Sequence, residues 1–223
     1  MEFSLLWAVL TAVAAAYLAL RLRPVATPDR PLDRIIGAAA VGLFAGRLAA
    51  VIGTGINPIL NPGQLLLVRG GVDTVWASLT AALALTWPLR RHLAALDNLA
   101  PAVLAALAGW HGGCLWRSVC LGAASDLPWS WSLPGSAVSR HPVELYAALA
   151  LTAGCLLLSR VRLPPGTAAA IAVSWAAATR MITEPLRPSL DGGPVWFYLA
   201  GAVIGLLAAS VSWRRSPITS DSA

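Results

Sequence analysis

TAAAIAVSWAAATRMITEPLRP, Thr167 to Pro188, is apolar almost throughout as far as Thr179, then carries Arg180, Glu184 and Arg187 at spacings of four and three. Such a run reads as a helix buried in lipid, and its ending is written into it. Pro185 has no N–H for the carbonyl of Met181 and disfavours helix at Glu184, so the helix is expected to stop or bend there. Before that bend Arg180 and Glu184 lie one turn apart on one face. The question is why a lipid-buried segment holds three charges.

The rest of the chain has the same character. Of its 223 residues 57% are hydrophobic and only 12% charged, with mean hydropathy +0.70, which places it among polytopic membrane proteins. A hydrocarbon core of about 30 Å needs roughly 20 helical residues. Seven apolar stretches meet or approach that length, near 3–20, 35–56, 72–89, 99–119, 142–159, 166–185 and 194–213. The expectation is an all-α helical bundle, a single transmembrane domain over 1–213 with no soluble domain. RRSPITSDSA, residues 214–223, reads as a short disordered cytoplasmic tail.

The first run follows the acidic Glu2 and precedes Arg21 and Arg23, so it reads as an uncleaved span with its N-terminus outside. On that orientation the inner segments hold Arg21, Arg23, Arg30, Arg34, Arg90, Arg91, Arg160, Arg162, Arg214 and Arg215. The outer loops hold only Arg69, Arg140 and Arg187. This bias predicts an outside N-terminus and an inside C-terminus. It also accounts for most of the formal charge of +6, which is no sign of a nucleic-acid partner. Cys114, Cys120 and Cys155 lie in or beside apolar spans at no metal-ligand spacing and read as buried small hydrophobes. No P-loop, dinucleotide fingerprint or internal repeat occurs, so neither a cofactor nor a metal is expected.

Arg47, His111, Arg117, Glu144, Arg180 and Glu184 remain in or at the ends of spans, where an unpaired charge costs about 3 kcal/mol or more. At about 1.5 Å per residue, Arg47, His111 and Arg180 each stand roughly 18–21 Å from the inner ends of their spans. That is the outer half of the membrane, where Arg140, His141 and Glu144 also open the fifth span. One reading is simple pairing, Arg180 with Glu184 and Arg140 with Glu144. Against it, Arg47, Arg117, Arg140, Arg180 and Arg187 outnumber Glu144, Glu184 and the loop acids Asp126 and Asp191. A positive pocket at that depth suits a phosphate, to which guanidinium groups offer forked donors, and the phosphate found there is a phospholipid headgroup. DLPWSWSLPG (126–135) reads as an interfacial aromatic belt. GWHGGC (109–114) reads as a close helix contact, and His92 as an inner-surface residue.

SRHPVELYAAL, Ser139 to Leu149, resembles the His-Pro-x-x-Leu-Tyr-Glu motif of the prolipoprotein diacylglyceryl transferase family through His141, Pro142, Leu145 and Tyr146. Ala147 stands in place of the motif's Glu. RMITEPLRP is similar to the family's Arg-x-x-x-Glu-x-x-Arg element and supplies Arg180, Glu184 and Arg187. DNLAPAVLAALAGWHGGC resembles the Asp-x-x-Ala-Pro lead-in to the signature span, and FAGRLAAVI the Arg-Leu of span two. Two departures stand out. RGGVDTVWAS (69–78) lacks the His that follows the family's Gly-Gly, and the signature Arg, Asn and Glu correspond to His111, Cys114 and Val119.

The resemblance implies a multi-pass enzyme of the bacterial cytoplasmic (inner) membrane. It implies transfer of the diacylglyceryl group of phosphatidylglycerol to the thiol of a lipobox cysteine in a secreted precursor, releasing glycerol phosphate. The expected catalytic residues are Arg180, Glu184, His111 and His141; those expected to hold phospholipid are Arg47, Arg117, Arg140, Arg187 and Tyr146. Two other readings stay open: a non-catalytic phospholipid-binding or assembly protein on the same scaffold, and a small transporter. The latter class usually shows paired halves or broken midplane helices.

Overall fold

A computed structural model describes residues 4–25, 28–66, 71–115, 120–132, 135–187 and 193–215. The helices are α1 (Ser4–Leu22), α2 (Pro31–Gly53), the single turn α3 (Gly63–Leu66), α4 (Thr74–Thr86), α5 (Leu93–Cys114), α6 (Val143–Arg160), α7 (Thr167–Thr183) and α8 (Val195–Arg215). A two-residue hairpin, β1 (Trp131–Ser132) with β2 (Ser139–Arg140), precedes α6. A helix thus stands on each of the seven apolar stretches. Four of them, α2, α5, α6 and α8, are long and apolar enough to cross a membrane, while the apolar part of α1 and α4 are shorter. Large apolar side chains such as Leu22, Ile182 and Trp196 point outward, the inverse of a water-soluble protein and the pattern of a surface solvated by lipid. The protein is an all-α, multi-pass membrane protein.

Two boundaries differ from expectation. The fourth apolar stretch spans 99–119, but α5 starts at Leu93, carries Pro101 in its interior and ends at Cys114; Pro101 removes one helix bond without ending the helix. By contrast α7 ends at Thr183, and Pro185 sits in a single 3₁₀ turn, Glu184–Leu186, as the missing donor requires.

The contacts divide the chain into two compact units, Asp29–His92 and the remainder, Met1–Pro28 with Leu93–Ala223. In the 29–92 unit α2 packs on α4. Gly42 and Gly46 let the two helices approach, since a Cβ at either would collide with Ala77 or Ala81 of α4 or with the backbone at Asp73. Asp73 caps α4 by accepting from the N–H groups of Val75 and Trp76, both at 3.0 Å.

In the larger unit α5 packs on α1, α6 and α7, and α7 on α8. Its core is narrow: Ala100, Leu104, Ala105 and Ala108 of α5 meet Leu151, Cys155 and Leu158 of α6 and Ala168 and Ala172 of α7. In lipid, apolar burial gives helices little reason to associate, so close packing and interhelical hydrogen bonds take over. Both occur here. Gly109 and Gly113 of α5 press on Ala8 and Thr11 of α1, whose hydroxyl donates to the Gly109 carbonyl at 2.7 Å. Gly154 receives the Trp175 ring, whose Nε1 donates to the Ala150 carbonyl at 2.8 Å. Ser174 donates to the Ala202 carbonyl, also at 2.8 Å. Asp97 of α5 accepts from the N–H of Gly166 (2.6 Å) and of Ala169 (2.8 Å), and so caps the start of α7 from a neighbouring helix. These contacts fix the rotation of α5, α6 and α7, and with it the face on which His111, Glu144 and Arg180 emerge.

Candidate functional site

The last turn of α7 projects Arg180, and the 3₁₀ turn begins one helical turn later with Glu184. Arg180 Nη2 lies 2.9 Å from Glu184 Oε2. The same nitrogen donates to the Tyr198 hydroxyl of α8 at 3.2 Å, with the guanidinium carbon 5.3 Å from the centre of that ring. Glu184 is 6% exposed. Its back is closed by Gly193, at φ +66°, where any Cβ would fall within contact distance of the Glu184 side chain. The 3₁₀ turn also brings Arg187 round, with its N–H on the Glu184 carbonyl at 2.9 Å and its Nε 3.7 Å from Glu184 Oε2.

Arg187 then reaches α6. Its Nη1 donates to Glu144 Oε1 at 2.6 Å, and the other oxygen of Glu144 makes a short contact with His111 Nδ1 at the end of α5. Glu144 is 4% exposed and His111 7%. The result is a continuous chain, Arg180–Glu184–Arg187–Glu144–His111, buried at Glu184, Glu144 and His111 and half-buried at the two arginines, drawn from α5, α6, α7 and the 3₁₀ turn. Removing one member of a buried ion pair leaves its partner's charge uncompensated, at about 3–5 kcal/mol. Among the described residues, the buried Nε and Nη2 of Arg187 have no hydrogen-bond partner. Native proteins rarely leave such donors unmet without a ligand or a water to receive them.

A second layer steadies this chain. Gly122 and Ala123 pair with His141 through Gly122 N–H to the His141 carbonyl (2.8 Å) and His141 N–H to the Ala123 carbonyl (3.0 Å). The Ala123 N–H donates to the Leu186 carbonyl at 2.7 Å, which ties the hairpin to the 3₁₀ turn. Arg140 Nη1 donates to the Gly122 carbonyl at 3.2 Å. The Tyr146 hydroxyl accepts from Trp129 Nε1 at 2.8 Å and stands 3.5 Å from His141 Nδ1. Cys114, closing α5, and Cys120, opening this segment, form a disulfide with Cα atoms 5.9 Å apart.

The sequence reading is thereby corrected at the cysteines and at the partner of Glu144. Cys114 and Cys120 are not inert small hydrophobes, because the chain turns back after α5 and sets them side by side; Cys155 is free and buried as expected. Glu144 pairs with Arg187 and His111 rather than with Arg140, since the helix carrying it faces α5. Arg47 belongs to the 29–92 unit, where its guanidinium donates to the Gln64 carbonyl at 2.7 and 3.2 Å and to the Gly71 carbonyl at 2.8 Å. Arg117, Arg69 and Asp191 lie outside the described residues. Arg180, Glu184, Arg187 and His111 do come together, with Arg140, His141 and Tyr146 in the adjoining layer. Tyr198, Gly193 and the bridging position of Glu144 gave no signal in the sequence. The two cysteines gave one, a close pair at one end of a span, that was not used. No cluster of three His, Cys, Asp or Glu side chains able to hold a metal occurs among the described residues.

The family model described as prolipoprotein diacylglyceryl transferase matches residues 3–213. The phosphatidylglycerol–prolipoprotein diacylglyceryl transferase of Wolbachia sp. subsp. Brugia malayi (strain TRS) is 28% identical over 184 residues, covering 75% of this chain and 70% of that protein. The protein of the same name from Wolbachia sp. subsp. Drosophila simulans (strain wRi) is 29% identical over 186 residues, with the same coverage. Since the family match spans nearly every described element, including both arms of the ion-pair chain, the chain belongs to the prolipoprotein diacylglyceryl transferase family and is a membrane-bound transferase.

Proposed function

We propose that the protein transfers the diacylglyceryl group of phosphatidylglycerol to the thiol of a lipobox cysteine in a secreted precursor, and releases glycerol phosphate. The observation that carries this is the half-buried Arg187, whose Nη1 is anchored on Glu144 while its buried Nε and Nη2 are left without hydrogen-bond partners among the described residues. An anionic phosphodiester supplies the acceptors those donors lack. Arg180 adds a second guanidinium one ion pair away, and Glu184 lies between the two and orients both. As the C–O bond to the diacylglyceryl carbon breaks, negative charge grows on the phosphate, and donors fixed in advance stabilise it without reorganising. Arg140, His141 and Tyr146 belong to the layer that holds the 3₁₀ turn, and they would shape the approach of lipid and peptide. Arg47 and Arg117 stay as lipid-binding proposals that rest on the excess of arginine in the sequence and, for Arg47, on the resemblance of FAGRLAAVI.

The cellular setting follows the same logic. Seven spans with the N-terminus outside put the end of α5, the hairpin and the 3₁₀ turn at the outer face of a bacterial cytoplasmic membrane, where secreted cysteines arrive. The disulfide at that end supports this orientation, because disulfides persist on the oxidising side of a membrane.

The deciding experiment uses purified protein in micelles with phosphatidylglycerol and a lipobox peptide. A thioether-linked adduct is expected, and Arg180→Ala is expected to abolish it; the gene should also rescue a strain depleted of its own transferase. No adduct together with no rescue would sink the proposal. Arg180-dependent lipid binding without turnover would favour the non-catalytic lipid-binding reading, which the replaced signature residues at His111, Cys114 and Ala147 keep open.

A further inference from the structure

Transfer to a thiol needs a group to take its proton, because the thiolate is the nucleophile and a free cysteine, with a pKa of about 8.5, is mostly protonated near neutral pH. The chain offers three histidines. His92 is exposed and belongs to the 29–92 unit. Among the described residues, the ring of His141 has as its hydrogen-bond partner only the neutral Tyr146 hydroxyl, at 3.5 Å, and that hydroxyl already accepts from Trp129. Neither contact would stabilise an imidazolium.

His111 is different. Its Nδ1 meets Glu144 Oε2, while Glu144 Oε1 receives Arg187 at 2.6 Å. A carboxylate paired with a guanidinium is ionised and has only acceptors to offer, so the hydrogen in the His111–Glu144 contact belongs to Nδ1. That fixes the tautomer: Nε2 carries the lone pair, and among the described residues it has no hydrogen-bond partner. A histidine donating through one nitrogen to a buried carboxylate, with the other left unpartnered, is an arrangement suited to a general base. The charged groups around the ring are Glu144 on α6, Arg187 beyond the 3₁₀ turn and, one ion pair further, Glu184 and Arg180.

We propose that His111 Nε2 takes the proton of the acceptor thiol, with Glu144 as the positioning residue that joins this base to the phosphate-binding Arg187. The assignment rests on the transferase reading above. In the step, the thiol's S–H bond breaks toward Nε2 and the sulfur pair forms the S–C bond to the terminal glycerol carbon of the diacylglyceryl group. The C–O bond of that carbon breaks, with its electron pair leaving on the phosphate oxygen. The proton on Nε2 then passes to the departing glycerol phosphate, so His111 ends as it began and atoms and charge balance. Glu144 bridges the two halves of the reaction: one oxygen steadies the imidazolium as it forms, and the other holds the arginine on which the leaving group's charge accumulates.

The test follows turnover of phosphatidylglycerol and a lipobox peptide between pH 6.5 and 9.5 for the wild type, His111→Gln and Glu144→Gln, with lipid binding measured in parallel. General-base catalysis is worth about 10²–10⁴-fold, so His111→Gln should lower kcat at pH 7 about 100-fold or more. Its KM for lipid should stay within about threefold, and its rate should climb with pH as the peptide thiol ionises unaided. That alkaline recovery also shows that the variant is folded. Glu144→Gln should lose kcat with the same recovery and, having loosened Arg187, also raise KM for lipid. A His111→Gln enzyme as fast as wild type at pH 7 overturns the base assignment and leaves the transferase intact, as does one that binds lipid but is dead at every pH. Should His111→Gln bind no lipid, a Glu144→Gln enzyme without alkaline recovery overturns the assignment. A wild type that forms no thioether overturns both readings.

Discussion

Glu184 shows how tightly single residues are constrained here. One of its oxygens serves Arg180 at 2.9 Å and faces Arg187 Nε at 3.7 Å, and its far side is filled by Gly193. Gly193 adopts φ +66°, a conformation that costs an L-residue about 1–2 kcal/mol, and its missing Cβ is the space the carboxylate occupies. Gly193→Ala should therefore push Glu184 off Arg180 and weaken phosphatidylglycerol binding about tenfold, which equals about 1.4 kcal/mol. Gly135 is the control: it has φ +82° and open space where its Cβ would be. Gly135→Ala should carry similar backbone strain and leave lipid affinity unchanged. Equal affinities for wild type and Gly193→Ala in a vesicle-binding titration would show that the Gly193 packing does not hold Glu184. Residues at this scale were unevenly legible. Arg180, Glu184 and Arg187 were evident because charge is costly in an apolar run, whereas the importance of Gly193 depends on a neighbour that sequence spacing does not reveal.

At the scale of elements, the site depends on how α5 ends. The helix stops at Cys114 and the chain returns as Cys120, Leu121 and Gly122 to pair with His141; the disulfide closes that return. By the chain-entropy estimate, closing so short a loop is worth about 2 kcal/mol. Reduction in detergent should lower the melting temperature by several degrees and expose two additional alkylatable thiols. A Cys114→Ser, Cys120→Ser double variant should start from the lower melting temperature and ignore the reductant. A wild type whose melting temperature does not respond to reduction would count against the disulfide as a stabilising link. The end of α7 was predicted correctly from Pro185, a local steric rule. The start of α5 at Leu93 was not: hydropathy marks the apolar stretch from 99, whereas the helix also includes the polar Asp97 and Asn98, and Asp97 caps the first N–H groups of α7.

For the whole molecule, the arginine distribution predicts the orientation, and it can be tested without any assumption about chemistry. A fluorescent protein fused after Arg215 should fold and fluoresce, while a phosphatase that is active only outside the membrane should be inactive there and active when fused in the 126–135 segment. The opposite pattern would invert the topology and remove the outer-leaflet argument for the site. What the sequence determined by itself is the class of protein; the depth of its polar groups is an expectation that the two fusions test. Lipid solvation demands long apolar helices and charge bias predicts their direction; both are sums over many residues that survive any error at one position. It also marked the residues too costly to be idle. Only the tertiary structure decided which of those residues meet. Glycine contacts and side-chain-to-carbonyl hydrogen bonds set the rotation of each helix. That rotation turned Glu144 from the neighbouring Arg140 to Arg187 and His111, drawn from elsewhere in the chain. Pairing between helices depends on these angles of rotation, which a linear pattern of hydrophobicity leaves free.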